Sequence, residues 1–170
     1  MPQCSLLLVV AASAIATITD LRTRTIPNWL TLPLPALALV LHGLHAGTAG
    51  LLFSALGVVA CFLPVYFLFA RGALGGGDVK LLAGFGGLVG ARDGLELELA
   101  AFSLVALFAL LATALHGRLW RLLTASARAT LHLLAPRRFA RPDASHDGVE
   151  LPMGLAIFCA TLALLARSYI

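Results

Sequence analysis

Long apolar runs separated by short polar breaks dominate the chain. Uncharged stretches of about 15 to 21 positions recur along it, close to the ~20 residues an α-helix needs to cross a hydrocarbon core. They predict about six helices, at roughly 3–19, 29–46, 50–70, 73–90, 97–116 and 151–169. The expected fold class is therefore all-α, a polytopic membrane protein, with residues 1–170 read as a single membrane domain. Only the connection at about 117–150 has soluble character. Its first part, with Arg118, Arg121 and Arg128 among leucines, reads as an amphipathic stretch lying along the membrane surface. A basic linker through Pro136, Arg137, Arg138, Arg141 and Pro142 follows, and Pro152 is well placed to open the last helix. No internal repeat or heptad seam is visible.

Composition supports this picture. Of the 170 residues, 60% are hydrophobic and only 12% charged, and the mean hydropathy is +0.96. That is more apolar surface than a soluble domain of this size can bury. Nine of the twelve basic residues fall in the first, third and fifth connections and Lys80 lies just beyond the third, whereas the fourth connection is acidic, with Asp93, Glu96 and Glu98 at its far edge. Short loops rich in Lys and Arg stay in the cytoplasm, so both termini are expected outside and the first, third and fifth connections inside. The net charge of +4 then reflects topology and anionic lipid, and no nucleic-acid partner is expected. Cys4, Cys61 and Cys159 lie in apolar segments without CxxC spacing and read as small core residues, not as a disulfide framework or zinc site. His42 and His45 read as interfacial residues near the outer turn between the second and third helices. No metal or cofactor is expected. Ala-Ser-Ala at 12–14 could suggest a cleaved leader, but the basic n-region of a signal peptide is missing.

Two acidic residues stand apart from the acidic loop and from the linker before the last helix. Asp20 follows the first helix, ahead of Ile26-Pro27-Asn28, where Pro27 stops a helix, Asn28 can cap the next one and Trp29 suits the headgroup level. Asp78 follows Gly75-Gly76-Gly77 and precedes Val79-Lys80. Such a glycine run is a poor helix former and suits an entry where backbone approaches another strand closely. Both aspartates fall on the predicted inner face, with an out-and-back excursion of two helices between them. Packed together near a low-dielectric boundary, two carboxyls share one proton. The ionised member can take a proton from water as it attacks a carbonyl, while the protonated one donates to the oxyanion and leaving amine. A plainer possibility pairs Asp20 with Arg22 or Arg24, and Asp78 with Arg71 or Lys80. A proton-relay transporter subunit and a non-catalytic subunit of a pilus or secretion machine also stay open at this level.

Asp20 ahead of Ile26-Pro27-Asn28, together with Gly75-Gly76-Gly77-Asp78-Val79-Lys80, resembles the two signatures of type IV prepilin peptidases. Pro152-Met153-Gly154 resembles the Pro-aromatic-Gly opening of that family's last helix, with Met153 in place of the aromatic. The resemblance implies a membrane aspartic peptidase with Asp20 and Asp78 as its catalytic pair. Gly75 and Gly77 would shape the backbone, Lys80, Pro27 and Asn28 would support the site, and Pro152 and Gly154 would form a late motif. It further implies prepilin or pseudopilin substrates, cut at the cytoplasmic face of the inner membrane, and pilus or secretion machinery as possible partners. The extra cysteine-bearing region of larger, N-methylating members is not seen in this sequence, so the resemblance implies the compact form associated with Flp/Tad-type pili or with archaeal preflagellin processing, and methyltransferase activity is not expected. Presenilin-like proteases share Gly-x-Gly-Asp but have a tyrosine before the first aspartate and a late Pro-Ala-Leu, where this chain has Thr19 and Pro152-Met153-Gly154.

Overall fold

The structure is a computed structural model, and it describes residues 3–115 and 153–168. Every element in that range is helical: α1 (Gln3–Thr23), α2 (Asn28–Thr31), α3 (Pro33–Ala70), α4 (Gly76–Val89), α5 (Ala91–Leu115) and α6 (Met153–Ser168). The amphipathic stretch and basic linker expected at 117–150, and Pro152, lie outside the described residues. Two compact units are present, Met1–Ser103 with Pro152–Ile170, and Leu104–Leu151. The first holds both aspartates.

Among the described residues, three helical stretches are long and apolar enough to cross a membrane, Cys4–Thr23, Asn28–Ala70 and Ala91–Leu111, with Met153–Arg167 a shorter apolar helix. The second is a hairpin. Ala46 (φ −133°, ψ 15°) and Gly47 (φ 59°, ψ −136°) break the helical path within α3. A Cβ on Gly43 would stand 2.9 Å from Leu51, so the chain doubles back on itself. Only glycine adopts the Gly47 conformation without strain. The two arms, 33–45 and 48–70, correspond to two of the predicted helices, and the predicted turn falls where the reversal occurs. Pro64 sits inside the second arm.

The helix α4 differs from the expected segment at 73–90. Its 14 residues rise about 21 Å, less than the ~30 Å of a hydrocarbon core. Instead of facing lipid it is buried from Leu81 to Val89, packed against both arms of α3. A Cβ on Gly57 would strike the carbonyl of Gly86, and one on Gly86 the carbonyl of Gly57. This is the close backbone approach that small residues permit between membrane helices.

Several local expectations are corrected. The supposed acidic loop belongs to α5, because Gly90 (φ 92°) turns the chain directly from α4 into α5. Glu96 meets Arg92 at 3.4 Å and also Arg167, while Glu98 is only 3% exposed and faces the Cys61 thiol. Cys61 is a core residue, but Cys4 and Cys159 are exposed. His42, expected at the interface, is buried, its Nδ1 3.0 Å from the Ala38 carbonyl.

Candidate active site

Asp20 lies in the last turns of α1, which continues past the predicted end at Thr19 to Thr23. Arg24, in the left-handed region at φ 52°, closes the helix by donating its N–H to the Asp20 carbonyl at 2.8 Å, an αL cap that satisfies a terminal carbonyl. The side chain of Asp20 turns toward α6. Its Oδ2 accepts the backbone N–H of Gly154 at 3.0 Å.

Asp78 lies in the first turn of α4, outside the three long apolar stretches. Gly75, in extended geometry (φ −78°, ψ 146°), precedes the helix. Burial pushes the Asp78 carboxyl up from 3.8 to about 6, and the Asp20 charge adds to the rise. Backbone hydrogen bonds from Gly75 and from Asp78 itself offset it in part. The two aspartates are therefore near enough to sense each other's charge.

The two sequence motifs meet in space. A Cβ on Gly77 would lie 2.9 Å from the Cβ of Ile26 and 3.2 Å from its carbonyl oxygen, so glycine lets the 25–27 connection rest against the start of α4. Pro27 (φ −72°, ψ 143°) occupies the N-cap position of α2. Asn28 does not cap that helix as expected. It is the first helical residue, and its Oδ1 accepts a hydrogen bond from Lys80 Nζ at 2.8 Å. Lys80 thus ties α4 to α2 across the site. Arg71 stacks on Phe67, 4.4 Å from the ring centre.

Gly154 of the late motif comes to Asp20, although 134 positions separate them. Thr17, which the sequence reading passed over, completes the arrangement. Its Oγ1 donates to the carbonyls of Ser13 at 2.8 Å and Gly154 at 2.9 Å. One signal pointed to it: Ser13, Thr17 and Asp20, at i, i+4 and i+7, share one helix face. Among the described residues, no three His, Cys, Asp or Glu side chains gather in a way that could hold a metal ion.

The sequence profile of the type IV leader peptidase family matches residues 7–117. The chain belongs to the type IV leader peptidase family. A prepilin leader peptidase/N-methyltransferase from Bacillus subtilis (strain 168) is 36% identical over 116 residues, covering 66% of this chain. The chain spans only 40% of that relative's length. No solved structure matches. Asp20, Pro27, Asn28, Gly75, Gly77, Asp78 and Lys80 all fall within the type IV leader peptidase match, whereas Gly154 lies beyond it.

Proposed function

We propose that this chain is a membrane aspartic endopeptidase that removes the short basic leader from type IV prepilins or pseudopilins at the cytoplasmic face of the inner membrane. What supports the reading most is that the two motifs pack together, with Gly77 against Ile26 and Lys80 bonded to Asn28, while the charge of Asp20 adds to burial in raising the Asp78 carboxyl. Membership of the type IV leader peptidase family supports it.

In the proposed cycle one carboxylate takes a proton from water while the water oxygen bonds to the scissile carbonyl carbon. The other carboxyl gives its proton to the carbonyl oxygen. The first then passes its proton to the amide nitrogen, the C–N bond breaks, and the second recovers a proton from the gem-diol. Water is consumed, and acid and amine are released with the pair restored. The proposal keeps about six apolar segments, both termini outside, and Asp20 and Asp78 near the cytoplasmic surface. It follows the compact Flp/Tad-type reading, with prepilins and their assembly machinery as partners, and covers the peptidase step alone.

The test is cleavage of a co-expressed tagged Flp-type prepilin by the wild-type chain and by Asp20→Asn and Asp78→Asn, read as a gel shift. Cleavage by wild type with both variants inert but membrane-inserted is the expected result. Normal cleavage by either variant would overturn the aspartic mechanism.

A further inference from the structure

Asp20 is held from a distance. Its Oδ2 accepts the Gly154 N–H at 3.0 Å, and the carbonyl of the same Gly154 accepts the Thr17 hydroxyl at 2.9 Å. Thr17 stands one turn before Asp20 on the same face of α1. Together they clamp both backbone groups of one residue in the first turn of α6. Thr17 is 7% exposed and Gly154 is buried, so water does not readily replace either bond. The fit is close. A Cβ on Gly154 would stand 3.1 Å from Thr17 Cα and 3.2 Å from both Cβ and Oδ2 of Asp20. The amide reaches the carboxyl because no side chain intervenes.

A carboxyl oxygen engaged by a backbone amide is occupied as an acceptor, and that amide can withdraw only if α6 moves. We propose that Thr17 is a positioning residue: through Gly154 it fixes Asp20 so that Oδ2 is anchored and Oδ1 is the oxygen left to take the proton from the attacking water. This rests on the aspartic reading above. It divides the labour within the pair. Water gives its proton to Asp20 Oδ1 as its oxygen bonds to the carbonyl carbon, and Asp78 protonates the carbonyl oxygen. Asp20 then delivers its proton to the leaving nitrogen as the C–N bond breaks, and Asp78 recovers a proton from the gem-diol.

The α1–α6 seam contains its own control. Ser13 and Thr161 form a second polar rung, Oγ to Oγ1 at 3.0 Å, on the same seam but without contact to Gly154. Loss of either rung loosens the helix pair, whereas loss of the Thr17 rung alone frees the amide that holds Asp20. The experiment compares purified wild type, Thr17→Val, Thr17→Ser and Ser13→Ala in detergent, measuring kcat and KM on a tagged prepilin together with thermal midpoints. Thr17→Val keeps the shape but removes the donor, and is expected to lower kcat by about 10- to 100-fold with KM within about two-fold, since small misplacements of reacting groups carry costs of that size. Thr17→Ser, which keeps the hydroxyl, should recover most of the rate. Ser13→Ala should lower the thermal midpoint and leave kcat unchanged. Wild-type cleavage with an unchanged kcat in Thr17→Val, no recovery in Thr17→Ser, or a kcat loss in Ser13→Ala equal to that of Thr17→Val would each overturn the positioning role. A wild-type protein that fails to cut prepilin would instead overturn the proposed function.

Discussion

Asp78 carries its carboxyl in the first turn of a helix that is buried along most of its length, and burial together with Asp20 pushes it up to about 6. A carboxyl that binds its proton more tightly when folded favours the folded state fully below 3.8, and this contribution is lost as pH rises through about 6. At pH 7.5 an ionised Asp78 therefore opposes folding, by up to about 3 kcal/mol. Asp78→Asn should raise the thermal midpoint in detergent at pH 7.5 and match wild type at pH 3.5, while abolishing cleavage. A lower midpoint at pH 7.5 would mean that the site stabilises the carboxylate. Under the proposed mechanism Asp78 must hold a proton at the start of each turnover. Cleavage rate should then fall along a basic limb as pH climbs past about 6, and the apparent value belongs to the coupled pair. Both aspartates were legible in the sequence because a charge at the end of an apolar run needs a reason. Thr17 was not, because threonine in an apolar helix can satisfy itself on a preceding carbonyl, as it also does here with Ser13.

Among the elements, the packing of α4 is where sequence and structure part. The glycines of 84–87 pointed to close helix contact, and the structure has it, but a run of 18 residues with apolar character gave no sign that α4 would be short and enclosed. Apolar periodicity cannot tell a helix surrounded by other helices from one surrounded by lipid. The same blindness placed Asp93 and Glu96 in a loop, since the sequence showed their charge and not the Gly90 turn that starts α5 at Ala91. Gly86→Ala should be destabilising by about 1–3 kcal/mol or more, the range of overpacked cores, because its Cβ would meet backbone and the Cys61 side chain, not open space. Thermal midpoints by fluorescence-detected size exclusion would measure it. Asn28→Ala removes only an exposed bond to Lys80 and should shift the midpoint by an amount near that of an exposed polar pair, less than about 1 kcal/mol.

For the molecule as a whole, the reversal at Ala46–Gly47 sets which end of the first unit is which. The site connection around Thr25 and the reversal around Thr48 are both exposed, and the basic-residue distribution assigns them to opposite sides of the membrane. In a background with Cys4, Cys61 and Cys159 replaced, Thr48→Cys should react with a membrane-impermeant maleimide on whole cells, and Thr25→Cys only after permeabilisation. The reverse pattern would invert the proposed topology. The hydrogen bond from Gly154 to Asp20 also has a temporal consequence. Asp20 belongs to α1, and the backbone group that anchors it is made 134 residues later. During translation and insertion the partial chain carries both aspartates but not the amide that orients one of them. The nascent protein thus passes through a long interval with its acid pair unanchored, and completing the site coincides with docking of the last described helix.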